Sequence, residues 1–434
     1  GLDMSAVLKN PGWKVTFAGT GINLALGVLY TWSIFQAKIV ESIEAGEAGG
    51  FDWERASVGD PYAVACLVFA FTMILAGKCQ DMIGPKITAM IGGVLVGSGL
   101  LVISQSTSYM AWVIGFGVLT GAGIGFGYAS ATPPALKWFP GGQTGMIAGL
   151  VVAGFGLAPV YIAPLASYLV GLWGLQSTMM FFAGAFFVSV SILSQFLKNP
   201  PEGYVPVDVK QEDVKEDRKI SEQKGTSNLE PLAAKTAIDR KASEIIKMVS
   251  FWKLWGLYFI SAGAGLMVIG SLAGMAKQSM GDAAFIAVAI MAVGNASGRI
   301  IAGVVSDAMG RSVALAIFLA LQSLNMFLAI FVVSSDGAMA FFIILSATFI
   351  GFNYGTNLAL FPAFCKSWWG LKSLGLNYGL LFTSWGLGGF VMTRLSGMIV
   401  ANTGSYVWSF IIAGTLLAIA AFIALRMKEP EQRS

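Results

Sequence analysis

Long runs of apolar residues recur along the chain, each closed by a short polar or Gly/Pro segment. They cover residues 14–38, 61–79, 85–105, 109–136, 143–170, 176–197, 251–275, 283–305, 311–333, 338–362, 373–399 and 405–427. A hydrocarbon core of about 30 Å is crossed by about 20 helical residues, so each run is long enough to span it. The pattern predicts an all-α polytopic membrane protein with twelve transmembrane helices. One polar stretch, 198–250, interrupts the rhythm with the run KNPPEGYVPVDVKQEDVKEDRK. Apart from an amphipathic tail near Ile245 to Met248 it lacks apolar periodicity, and it reads as a charged, partly disordered linker. The chain then divides into a six-helix bundle over 1–197, the linker, and a second six-helix bundle over 251–434.

The two bundles repeat each other. Gly77-Lys-Cys-Gln-Asp81-Met-Ile-Gly84 returns as Gly303-Val-Val-Ser-Asp307-Ala-Met-Gly310, and Gly125-Phe-Gly-Tyr128 returns as Gly351-Phe-Asn-Tyr354, both displaced by 226 residues. Gly145, Gly149 and Gly156 return as Gly375, Gly379 and Gly386, displaced by 230. Duplicated halves with a site at their interface are the architecture of secondary transporters.

Composition narrows the reading further. Of 434 residues, 56% are hydrophobic and 12% are charged, about half the charge of a soluble chain. The net charge of +4 is dispersed, with no basic stripe to hold nucleic acid. All the Lys and Arg except Lys38, Arg55, Lys277, Arg394 and the intramembrane Arg299 fall on one side of the predicted spans. That bias places both termini and the linker in the cytoplasm. No signal peptide is expected before the first span. There is no histidine, and Cys66, Cys79 and Cys365 have no CxxC partner. No metal site, cofactor or disulfide framework is expected. No nucleophile–base pair or phosphate loop is present either, so the chain does not read as an enzyme. The run Gly121-Ala-Gly-Ile-Gly125-Phe-Gly127 has the wrong spacing for a dinucleotide fingerprint and reads as close helix packing.

The duplicated G-x-x-x-D-x-x-G loops lie between spans 2 and 3 and between spans 8 and 9. This placement resembles the signature loop of the major facilitator superfamily. Tyr30-Thr-Trp32 at the end of span 1, Lys137-Trp138-Phe139-Pro140 before span 5, Asn295-Ala-Ser-Gly298-Arg299 in span 8 and Asn377-Tyr378-Gly379 in span 11 resemble the oxalate–formate antiporters and monocarboxylate transporters. The resemblance implies that Asp81 and Asp307 brace the cytoplasmic gate. The second copy continues as Gly310-Arg311, which adds Arg311 to that gate. The first has Met82 and Pro85 where basic residues are common, which implies weaker contacts. As plain chemistry, either aspartate would also serve as a helix cap.

Arg299 lies eight residues before Asp307, about 12 Å along a helix and thus near the membrane midplane. An intramembrane arginine is costly and marks a functional site by default. Its planar fork suits a carboxylate. Asn295 sits one turn earlier on the same face, placed to bond the substrate or to hold the guanidinium. In the resembling animal transporters this position is an aspartate associated with proton coupling, and asparagine cannot titrate. The oxalate–formate antiporters carry a lysine in span 11 where this chain has Trp385. One cation in place of two favours a monoanion over a dianion. Tyr128 and Tyr354 are expected to face each other across the pseudo-symmetry axis, with Tyr30 nearby. Phe382 and Trp385 are expected to form an apolar wall for a short alkyl tail. These residues together point to a monomeric carrier in the plasma (inner) membrane that moves a lactate- or pyruvate-type anion with a proton by alternating access. Anion exchange is the alternative, and a membrane solute sensor is the reading from a different class.

Overall fold

Glycine and proline punctuate the chain where helices must turn. A computed structural model describes residues 9–206, 239–333 and 340–430. Residues 207–238, the middle of the expected linker, lie outside the described residues. Among those described there is no strand. The first half comprises α1 (Gly12–Ala45), α2 (Arg55–Ile83), α3 (Pro85–Ser104), α4 (Tyr109–Lys137), α5 (Gly141–Trp173) and α6 (Leu175–Ser194). The second comprises α7 (Val249–Met280), α8 (Ala284–Met309), α9 (Arg311–Val333), α10 (Ala340–Trp369), α11 (Leu374–Thr403) and α12 (Val407–Leu425).

Eleven described helices are long and apolar enough to cross a membrane. The remaining long helix, α11, has 30 residues but carries Asn377, Ser384 and Arg394 among many glycines, which lowers its hydropathy. α1 and α7 run beyond the spans expected from hydropathy, because a helix need not stop where the apolar run does. Large apolar side chains such as Phe17, Leu75, Val188 and Phe422 are exposed. In water such a surface would drive association, whereas in lipid it is the solvated face.

Three irregularities position the central side chains. Within α1 a 3₁₀ segment, Gly27–Thr31, precedes Trp32 and sets the direction of Tyr30. α4 passes from a first α-helical turn, Tyr109–Trp112, into a wide π-type segment, Val113–Thr120. α5 changes register at Ala158–Pro159, where proline offers no N–H to the preceding turn. The turns after α2 and α8 are twins. Gly84 and Gly310 both have φ of +92°, a conformation that favours glycine, and each ends one helix and starts the next.

The halves meet chiefly along α2 against α11 and α5 against α8. The near end of the linker is tied to the second half. Arg240 N–H donates to the Trp369 carbonyl at 2.8 Å. The Asp239 carboxylate accepts from the Leu371 and Lys372 N–H groups at 3.1 and 3.2 Å. Asn377 Nδ2 donates to the Arg240 carbonyl at 3.0 Å. Residues 239–240 therefore staple the α10–α11 turn rather than leading freely into α7.

Candidate functional site

Arg299 on α8 is fully buried where the two halves face each other. Its Nε donates to Asn295 Oδ1 at 2.8 Å, one helical turn away. Its two terminal nitrogens cross to the first half. One donates to the Val152 carbonyl on α5 at 3.0 Å, the other to the Tyr30 hydroxyl on α1 at 3.2 Å. The guanidinium carbon also lies 5.9 Å from the Tyr30 ring centre and 5.8 Å from that of Phe155. These partners are all neutral. Among the described residues no carboxylate forms an ion pair with Arg299. The cation is solvated by dipoles and rings but its charge is not cancelled.

The tyrosines are arranged differently from the symmetric expectation. Tyr354 on α10 pairs with Tyr30, hydroxyl to hydroxyl at 2.5 Å, and not with Tyr128. Tyr30 lies on the 3₁₀ segment of α1. Trp385 is more than an apolar wall, because its Nε1 donates to the Tyr354 hydroxyl at 2.8 Å. It also stacks on Phe382 with ring centres 4.9 Å apart. Tyr128 is buried against Phe69, Phe155 and Phe382, and its hydroxyl faces Tyr378 and Arg299 without a hydrogen bond of good geometry to either. Asn295 holds the guanidinium.

Hydrogen counting shows what this arrangement lacks. Each tyrosine hydroxyl carries one hydrogen, and arginine carries five N–H groups with no acceptor. Tyr30 accepts from Arg299 and Tyr354 accepts from Trp385. One hydroxyl hydrogen serves the Tyr30–Tyr354 bond, and the other has no acceptor among these groups. Tyr128 adds another donor. The cluster is thus rich in donors and positive charge, set in an aromatic box, and matches a small ligand that only accepts and carries one negative charge. Because the Tyr128 hydroxyl makes no well-formed hydrogen bond, Tyr128→Phe is expected to leave the midpoint of thermal unfolding in detergent almost unchanged.

The two loop aspartates mirror each other across the halves. Asp307, at the end of α8, accepts from the Gly145 and Met146 N–H groups at the start of α5, at 2.8 and 2.9 Å. Asp81, at the end of α2, accepts from the Gly375 and Leu376 N–H groups at the start of α11, at 3.1 and 3.0 Å. Each caps a helix of the opposite half, where backbone donors and the helix dipole favour an anion. Arg311 pairs with Asp307 at 2.7 Å, donates to Ser306, and reaches the Ser367 hydroxyl at 3.3 Å.

Sequence reasoning passed over Lys366. It ends α10 with only 8% of its surface exposed. Its ammonium donates to the Leu136 and Phe139 carbonyls at 3.1 and 3.2 Å and to Thr144 Oγ1 at 2.6 Å, all in the first half. The signal was present, since Lys366-Ser-Trp repeats Lys137-Trp at the matching end of α4. Lys366→Met leaves three buried acceptors unpaired and is expected to cost about 2 kcal/mol. The check is the midpoint of thermal unfolding in detergent. Phe69 and Phe155, which wall the aromatic box, had no distinguishing signal in the sequence.

The profile of the Major Facilitator Superfamily matches residues 15–332 and 254–434. The chain belongs to the major facilitator superfamily. Its similarity to the oxalate:formate antiporter of Oxalobacter formigenes is 24% identity over 436 residues, covering 99% of this chain and 95% of that protein. The apicoplast pyruvate carrier 1 of Toxoplasma gondii is 24% identical over 454 residues, covering 85% of this chain and 80% of the carrier. Monocarboxylate transporter 13 of Rattus norvegicus is 22% identical over 417 residues, covering 96% and 89%. The chain is thus a multi-pass membrane protein of a transporter superfamily, with carriers of small carboxylate anions among its relatives.

Proposed function

We propose that this transporter carries small monocarboxylates of the lactate and pyruvate type, together with a proton, by rocking its two halves around the Arg299 site. The observation that carries the reading is the uncancelled charge of a fully buried Arg299 inside a donor-rich aromatic box. A carboxylate both accepts the spare hydrogens and cancels the charge. The single cation, with Trp385 across from it, favours a monoanion. Co-transport with a proton makes the cycle electroneutral, which avoids about 2.3 kcal/mol per charge for each 100 mV of membrane potential. Asp81, Asp307 and Arg311 form the gate at the end where the halves cap each other. The carrier sits in the plasma (inner) membrane, and the Lys and Arg bias supports putting both termini and this gate at the cytoplasmic face. The unit is a monomer, with separate six-helix halves joined by the 198–250 linker.

A second reading rests on the same arginine. If the unneutralised site cannot reorient, substrate must return on every half-cycle and the protein exchanges anions. The similarity to an oxalate:formate antiporter favours keeping this reading. Uptake of radiolabelled L-lactate into proteoliposomes separates the two. Uptake driven by an acid-outside gradient supports symport. Uptake only into vesicles preloaded with an anion replaces it with exchange. No carboxylate uptake in either arrangement overturns both.

A further inference from the structure

The two gate locks look alike but are not electrically equivalent. At the α5–α8 crossing, Asp307 is held by two backbone N–H groups and by Arg311 at 2.7 Å. At the α2–α11 crossing, Asp81 has the same pair of backbone donors but no cation within ion-pair distance among the described residues. The reason is one residue. Gly310 is followed by Arg311, and its twin Gly84 is followed by Pro85. Gln80, the counterpart of Ser306, is fully buried beside Asp81, and neither its amide oxygen nor its nitrogen has a partner. The half-buried Lys137 on α4 is the charged group facing Asp81. Lys78 on its own helix, Lys86 on α3 and Lys372 in the α10–α11 turn are exposed, and α11 presents backbone N–H groups. Tyr378 on α11 is paired with Tyr258.

We propose that Asp81 is a proton-binding site at which protonation releases the α2–α11 lock, while the lock at Asp307 is backed by its ion pair with Arg311. An ionised carboxylate holds the α11 N-terminus through charge-assisted bonds and the helix dipole. A proton on it removes both, and leaves at most one weak acceptor for two N–H groups. Asp239 holds Leu371 and Lys372 in the turn before α11, and Asn377 in the first turn of α11 donates to the Arg240 carbonyl, so these ties remain when Asp81 lets go and release moves the helix with its turn. The inference rests on the proposed proton-coupled reading for its purpose, and on the Asp81/Asp307 asymmetry for its argument.

The test is a distance measurement on the full chain in lipid nanodiscs. Spin labels are placed at Met82 and Lys372, both exposed, after serine replaces Cys66, Cys79 and Cys365. Going from about pH 8 to about pH 5, the open population of the wild type is expected to rise about tenfold relative to the closed one. Asp81→Asn should be open to a similar degree at both pH values. Pro85→Arg, which grafts the Arg311 partner onto an equivalent backbone, should stay closed at both. Asp307→Asn should raise the open population yet keep the pH response. A pH-insensitive wild type, or a pH response that survives in Asp81→Asn, overturns the assignment. If that wild type still takes up lactate on a proton gradient, the transport reading stands without it. A pH-responsive gate in a protein that carries no lactate sinks the transport reading and leaves Asp81.

Discussion

Arg299→Ala is expected to abolish carboxylate uptake without unfolding the protein. A bound carboxylate would form a buried, hydrogen-bonded charge pair with Arg299, and truncating one member of such a pair costs about 2–5 kcal/mol, so affinity should fall at least about thirtyfold and flux with it. The effect on stability runs the other way from most core truncations. Arg299 is fully buried, and its partners are a side-chain amide, a backbone carbonyl and a hydroxyl, with no carboxylate among the described residues to offset its desolvation. Removing it gives up three hydrogen bonds but also an uncancelled charge, so the melting temperature should stay within a few degrees or rise. Arg299→Lys is the sharper control. A lysine keeps the charge but offers a point donor in place of a planar fork, and cannot hold Val152, Asn295 and Tyr30 together while presenting two parallel N–H groups to an anion. Binding of L-lactate by calorimetry, with thermal unfolding on the same samples, reads both effects. Full transport by Arg299→Ala would remove the site assignment.

Why Arg299 was legible and Tyr30 was only half so is a matter of what periodicity encodes. A single guanidinium in a long apolar run stands out against every neighbour, and its distance from Asp307 fixes its depth. The duplicated glycines and aspartates were legible too, because close crossing and helix capping demand particular residue types at fixed places. The partnership of Tyr354 was not. Internal symmetry pairs it with Tyr128, whereas the observed partner, Tyr30, lies on a 3₁₀ turn in α1 that leaves no hydrophobic signature. Trp385 reads as an apolar wall from its type alone, and its role as a donor to Tyr354 appears only with coordinates. Phe69 and Phe155 are two of 30 phenylalanines and carry no local mark. Lys366 was visible as the repeat of Lys137, but a lysine at the end of a span ordinarily reads as an interfacial charge. Nothing in its neighbours announces that it is buried against the opposite half.

The largest conformational effect is expected from a side chain placed where the halves touch backbone to backbone. Gly145 on α5 and Gly303 on α8 face each other so closely that a Cβ added to either would strike the carbonyl oxygen of the other. Gly77 and Gly375 repeat the contact at the α2–α11 crossing, where a Cβ on Gly375 would lie 2.6 Å from the Gly77 carbonyl oxygen. Backbone cannot move aside as a flexible side chain does. Relief requires the helices to part, and parting them stretches the Asp307 bonds to Gly145 and Met146. Gly303→Leu should therefore hold the gate end open and stop the cycle, with uptake lost and spin-label distances across the gate lengthened at every pH. The same leucine at Gly184 on α6, where an added Cβ meets nothing within 4 Å, should be tolerated. A polar substitution at Asp307 weakens a lock that can still close, whereas a bulky one at Gly303 removes the closed state. Asp307→Asn is therefore expected to retain measurable transport, and Gly303→Leu none. If Gly303→Leu transports at the wild-type rate, the α5–α8 crossing does not close during the cycle, and the gate must be sought elsewhere in the interface.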